Sequence, residues 1–129
     1  MRKTSGTVFV NVSSLRITQP FWVYSAELTA PAANTDLVVA NVPSGYKGLV
    51  YGIYLTTNES CVLYLRWTSG TTTYSLRIDV PAAGVMWVTD LTALNERLEA
   101  NPGSQIKLTL STALSSTGKI QAGLLVGYA

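Results

Sequence analysis

Apolar residues recur at every second position along most of this chain. Leu49, Tyr51, Ile53 and Leu55 share one phase, and after Asn58-Glu59-Ser60 the alternation resumes at Cys61, Leu63, Leu65 and Trp67. Ser69-Gly70 then leads into a third run, with Tyr74, Leu76, Ile78 and Val80 on one side and Thr73, Ser75, Arg77 and Asp79 on the other. Successive side chains of a strand point to opposite faces, so this patterning predicts antiparallel strands with one buried face. Taken together, the three runs predict a three-stranded meander.

The alternation extends in both directions. A strand is predicted over 36–42, and Val42-Pro43-Ser44-Gly45-Tyr46 turns the chain into the central runs, with Gly45 and Gly48 supplying backbone freedom. Pro81-Ala82-Ala83-Gly84 precedes a strand over 85–89. Over 105–111, Ile106, Leu108 and Leu110 face inward while Gln105, Lys107 and Thr109 face outward. Ser115-Ser116-Thr117-Gly118 reads as a hairpin loop leading to a last strand over 119–128, with Ile120, Ala122, Leu124, Val126 and Tyr128 on one face. Over 90–101 the period changes. Leu91, Leu94 and Leu98 are three and four apart, Asp90 can cap and Pro102-Gly103 stops the run, which predicts one short helix.

Residues 1–20 read as an N-terminal arm ending at Pro20, in which 7–12 is either a first strand packed on its own domain or part of an extended arm reaching a neighbouring subunit, and residues 21–129 read as one domain. The domain opens on a strand that is apolar on both faces, because Phe21 and Val23 alternate with Trp22 and Tyr24. Such a strand is either sandwiched within its fold or laid against a partner. About seven strands from Asp36 onward, with one or two before it, fit an all-β, antiparallel two-sheet sandwich that is jelly-roll-like. A parallel α/β fold would need a helix between strands.

Composition adds a hint about surroundings. Only 12% of the 129 residues are charged, while 47% are apolar; that is about half the charge of an ordinary soluble domain. Either a surface partly covered by other subunits or a thermostable or Thr- and Ser-rich sandwich accounts for this. Nine Lys and Arg against seven Asp and Glu give +2, too even for a nucleic-acid binder, and only Arg2-Lys3 cluster. Three Trp and seven Tyr outnumber two Phe, and such rings combine contact area with a polar handle. Trp67, Tyr74 and Trp87 look like core by their phase. Phe21, Trp22, Tyr24, Tyr54 and Tyr64 are harder to place inside, since Tyr54 and Tyr64 oppose their strand's core set. With Arg2, Lys3 and Phe9 of the arm, they are the candidate partner-binding residues.

Most catalytic chemistry has no residues to carry it. The chain has no histidine, which removes the commonest general base, a common zinc ligand and any Ser-His or Cys-His pair. The carboxylates are scattered, without the paired inward placement of a glycosidase. Asp36, Asp79 and Asp90 would fall near one end of a sandwich, but neither a calcium loop nor a closely spaced acidic cluster supports a metal site. Glu96 and Glu99 read as the solvated side of the short helix. Cys61 sits at an inward position, as a small buried apolar side chain rather than a nucleophile. Near Gly45 and Gly48 the spacing does not match a phosphate loop. The expectation is therefore a protein with no catalytic, cofactor or metal residues, not an enzyme. No leader-like or roughly 20-residue apolar run occurs, which predicts production in the cytoplasm and no membrane span.

The turns carry a resemblance. Val42-Pro43-Ser44-Gly45-Tyr46-Lys47-Gly48-Leu49, then Thr68-Ser69-Gly70-Thr71-Thr72-Thr73-Tyr74, Val80-Pro81-Ala82-Ala83-Gly84 and the closing Ile106-Lys107-Leu108-Thr109-Leu110-Ser111 resemble a pattern in small structural proteins of tailed bacteriophages and related viruses. The similarity spans residues 36–129. It implies a jelly-roll or sandwich domain serving as a capsid decoration or cement protein, often trimeric, located in the virion after assembly in the host cytoplasm. Its partner would be the major capsid protein or another virion subunit. No cofactor, nucleic acid or membrane is implied. On this reading the sandwich trimerises and the arm ties it to the shell. The alternative is a tail or fibre module that holds carbohydrate or a receptor on exposed Tyr and Trp.

Overall fold

The computed structural model of the chain describes residues 19–81, 84–89 and 99–129, with 84–89 described by backbone alone. Among these residues the protein is all-β. Its strands are β1 (Phe21–Tyr24), β2 (Leu28–Thr29), β3 (Asp36–Asn41), β4 (Gly48–Thr57), β5 (Cys61–Ser69), β6 (Thr72–Val80), β7 (Gly84–Thr89), β8 (Gln105–Leu110) and β9 (Lys119–Tyr128). Seven strands thus follow from Asp36, with two short ones before it. The arm over 1–20 and the short helix over 90–101 fall almost wholly outside the described residues.

Two antiparallel sheets form. The first has the order β1-β9-β4-β7, with β2 also on β9, and the second β3-β8-β5-β6. The pairs β5–β6, β4–β7, β3–β8 and β2–β9 are nested around a single turn. One long antiparallel ribbon is therefore rolled up, so that β9 comes to lie beside β4 and β8 beside β5. This is the jelly roll, a double-sheet architecture in which interleaved connections limit exposed sheet edges.

The rolled ribbon corrects two local expectations. β4 does not pair with β5; it belongs to the first sheet and the chain crosses to the second at residues 58–60, so the meander is split. Likewise residues 115–118 carry the chain from β8 to β9 between sheets and close no hairpin. Local alternation reports which face is buried but not which strand is the neighbour. The β5–β6 connection is a true hairpin, with Ser69 opposite Thr72 and Gly70 at φ +61° in the first of two loop positions. Glycine is favoured there because primed turns need positive φ and match the strand twist.

The core lies between the inward faces. Leu63 and Leu65 of β5, Ile106, Leu108 and Leu110 of β8, and Ile120, Leu124 and Val126 of β9 are all essentially inaccessible. Trp67 is buried and stacks on Tyr74 at 5.4 Å, as their phase predicts. β4 departs from its pattern. Its pairing with β9 slips between Val50 and Gly52, a bulge that leaves Tyr51 as the extra residue. Bulges reverse the phase of what precedes them. Val50, Ile53 and Leu55 are therefore buried, while Leu49 and Tyr51 are only partly covered.

A second irregularity divides β1 from β2. At Ser25 the side chain enters the ladder: Ala122 N–H donates to Ser25 Oγ at 3.0 Å and Ser25 N–H donates to the Ala122 carbonyl at 2.8 Å. The strand breaks there and resumes at Leu28.

The two inter-sheet crossings are tied to each other at one end. Lys119 N–H donates to Asn58 Oδ1 at 2.8 Å, and Asn58 Nδ2 donates to the Thr117 carbonyl at 3.0 Å. Glu59 accepts from the Ser115 N–H at 3.0 Å and from the Ser115 hydroxyl. These bonds favour the carboxylate and lower the Glu59 pKa from its ordinary value. A folded-state pKa below the unfolded one contributes stability above the unfolded value, which is lost as pH falls through the folded value. The stability difference between wild type and Glu59→Gln is expected to shrink from about pH 6 to about pH 3. Urea unfolding at both pH values measures it, and a constant difference would contradict the assignment.

Candidate functional site

The outer faces of the two sheets differ in chemistry. On the first sheet the outward register runs Trp22 and Tyr24 on β1, Gln121, Gly123 and Leu125 on β9, and Gly52, Tyr54 and Thr56 on β4. Among the described residues charge appears towards its end, where Lys119 and Glu27 line a shallow depression with Thr56 and Gln121. On the second sheet the outward positions include Arg66 on β5, Arg77 and Asp79 on β6, and Lys107 on β8, interleaved with Ser75, Thr73 and Thr109. The polar face needs no cover; the aromatic one is the candidate docking face.

Its geometry centres on Gly123. In the register Gly123 lies opposite Tyr24 on one side and opposite Tyr54 on the other. A Cβ at that position would stand 2.7 Å from Tyr24 Cδ1 and 3.4 Å from Trp22 Cε3. The bare glycine therefore lets the Tyr24 ring lie down on the sheet, the close approach for which a mid-strand glycine is suited. Tyr24 stacks on Trp22, two residues back on the same face, at 5.6 Å and 15°. It also meets Tyr54 edge-on at 6.3 Å and 84°. Tyr24 remains 54% exposed, so much of its ring is available to a second surface.

The five predicted aromatic residues thus separate into three places. Trp22, Tyr24 and Tyr54 come together. Phe21 has the opposite phase from Trp22, remains exposed, and meets Tyr128 edge-on at 5.5 Å. Burial raises the Tyr128 hydroxyl pKa from its ordinary value. Tyr64 lies on the other sheet, where the Arg66 guanidinium stands 4.9 Å from its ring centroid. Arg2, Lys3 and Phe9 lie outside the described residues. The core assignment of Trp87 concerns a side chain that also lies outside them, while its backbone pairs with Tyr54.

Gly123 was not singled out by the sequence pattern, although a signal existed. The outward phase of the last strand reads Gln121, Gly123, Leu125, Gly127, and glycines recurring on one face of a long strand mark a surface that something approaches closely.

The titratable groups do not assemble into a reaction centre among the described residues. Asp36 is held by Thr109 Oγ1 at 2.8 Å and Lys107 at 3.5 Å. Asp79 accepts from Arg77 Nε at 3.1 Å, and that bond raises the Arg77 pKa from its ordinary value. Glu99 faces Lys47 at 3.3 Å. Cys61 is buried, and burial followed by the charge of Glu59 pushes its thiol up, away from the nucleophilic thiolate. No cluster of three or more candidate metal ligands occurs among the described residues. No protein-family model matches the chain, and no curated protein matches it either.

Proposed function

We propose that this chain is a non-enzymatic structural subunit of a virion, a decoration or cement protein that stabilises a capsid shell through subunit contacts. The observation that carries the reading is the inequality of the two outer faces. Trp22, Tyr24 and Tyr54 form a connected aromatic surface, free of charge at its centre, over a glycine floor. Aromatic rings that are large, stiff and half exposed are characteristic anchors of protein interfaces. The jelly roll supports the reading at the level of architecture, since it is frequent in viral shell proteins; the turn pattern over 36–129 supplies the particular class. In this role the aromatic face packs on a sister subunit within a trimer, and residues 1–20 reach the major capsid protein.

Light scattering on the full chain tests the reading. Wild type is expected to run as a trimer, and Tyr24→Asp combined with Tyr54→Asp as a folded monomer, because a carboxylate buried in an apolar contact without a partner costs several kcal/mol, on the order of the contact itself. Circular dichroism unchanged from wild type would confirm that the variant folds. A monomeric wild type would overturn the subunit role. Saturable binding of a neutral oligosaccharide, lost on Tyr54→Ala, would reassign the face to carbohydrate recognition.

A further inference from the structure

The outer face of the second sheet holds an arrangement that strand pairing alone disfavours. Arg66 on β5 lies directly across from Lys107 on β8. Like charges directly opposite one another on a sheet are destabilising. The two cations are engaged in opposite directions: Lys107 Nζ reaches Asp36 Oδ2 on β3 at 3.5 Å, whereas Arg66 Nε donates to Ser75 Oγ on β6 at 3.3 Å. Tyr64 offers its ring face to the Arg66 guanidinium. A hydroxyl and a ring hold the guanidinium in place without cancelling its charge. Among the described residues Arg66 has no carboxylate partner.

A cleft of about 550 Å³ opens beside this pair. Its walls include Arg66, Lys107, Asn41, Gln105, Thr68 and Thr73. Gln105 Nε2 donates to Asn41 Oδ1 at 2.9 Å, and the Thr68 and Thr73 hydroxyls lie 3.2 Å apart. These bonds leave the Asn41 amide protons, the Gln105 carbonyl and lone pairs on both hydroxyls uncommitted among the described residues. The volume is in the usual range for small-ligand sites, but such sites are ordinarily lined mainly by apolar side chains. With Trp67 also on its wall, this cleft is about as apolar as it is polar, and such a mixed lining suits a sugar, which has apolar ring faces and a rim of hydroxyl groups.

We propose that this cleft binds a carboxylate-bearing saccharide, with Arg66 as the receptor for the carboxylate. The planar guanidinium matches a carboxylate in a two-point hydrogen bond. The amides and hydroxyls around it exchange hydrogen bonds with the sugar ring. Lys107, already engaged by Asp36, contributes positive field rather than the primary contact. The bound anion relieves the repulsion between Arg66 and Lys107, which gives their juxtaposition a purpose. The cleft lies on the sheet opposite the aromatic face and does not depend on the subunit role.

The experiment is a titration of the full-length, isotopically labelled protein, following the backbone amides of residues 66, 68, 105 and 107. Trigalacturonate and sialyllactose are the acidic probes; the methyl ester of the first, lactose and inorganic phosphate are run separately. Saturable shifts at those amides are expected with at least one acidic probe, and binding at least about tenfold weaker with its neutral counterpart and with phosphate. Arg66→Gln is expected to weaken the acidic saccharide by about tenfold to a hundredfold, the usual effect of losing charge-assisted hydrogen bonds. Its thermal midpoint should hold or rise, since the substitution removes the like-charge pair. Arg77→Gln, on the edge strand and paired with Asp79, should bind as wild type does. No saturable shift with either acidic probe, equal binding of the neutral counterpart, or phosphate binding as tightly as the saccharide would overturn the proposal.

Discussion

Leu65→Ala is expected to lower the free energy of unfolding by about 2–5 kcal/mol, the range for deleting a leucine side chain from a rigid core. Leu65 is wholly inaccessible and sits on β5, an interior strand of the second sheet, between Leu76 of β6 and Leu108 of β8. Strands on both sides fix the backbone, so the void cannot close by local collapse, and the transfer and cavity costs add. Against a total stability of about 5–15 kcal/mol, such a loss is a large share. Val62→Ala on the opposite face of the same strand is expected to cost less than about 1 kcal/mol. Urea unfolding of the pair separates burial from strand propensity, because both substitutions remove a β-favouring side chain from one strand. Equal losses would mean that the second sheet is not packed as described.

Gly48→Val is expected to cost about 1–3 kcal/mol through overpacking. A Cβ at position 48 would stand 2.6 Å from Val42 Cγ2 and 3.0 Å from Ile106 Cδ1. Val42, Ile106 and Ala100 around it are buried, so nothing nearby is free to swing into solvent. The backbone is fixed too. Gly48 N–H donates to the Ala100 carbonyl at 2.9 Å and Ala100 N–H donates back at 2.7 Å. Thermal unfolding measures the loss, and Gly45→Val is destabilising for a different reason, since Gly45 has open space around its Cβ position but a φ of +86° that strains any L side chain. A Gly48→Val melt indistinguishable from wild type would remove the close approach. The two glycines of the Val42-to-Gly48 turn thus have different reasons: backbone freedom at Gly45, as the sequence predicts, and space at Gly48.

What the sequence made legible was phase, and what it hid was adjacency. Leu63, Leu65 and Trp67, and likewise Ile106, Leu108 and Leu110, are buried as their alternation predicts, because each such strand is straight through its buried run. The pattern failed at Tyr51, where an extra residue reversed the phase of Leu49 relative to Ile53. Neighbours were hidden because a turn such as Asn58-Glu59-Ser60 reads the same whether it closes a hairpin or crosses to a facing sheet. That ambiguity governed the candidate sites as well. Tyr54 and Tyr64 both lie opposite their strand's core set, yet β4 and β5 belong to different sheets, so the two rings face opposite sides of the molecule. Arg66 and Lys107 looked like ordinary solvated positions until the β5–β8 register put them across from each other.

The nested order of the ribbon has a consequence for biosynthesis. The last of the described strands to leave the ribosome, β9, lies between β1 and β4 and supplies Gly123, the floor beneath Tyr24 and Tyr54. During translation, Trp22 and Tyr24 therefore have no sheet to lie on until β9 has been made, and Tyr54 has no β1 beside it. The aromatic face comes into being with the last of the described strands. A nascent chain therefore cannot present this face before β9 has been made, and the time at which the face appears is written into the order of the strands.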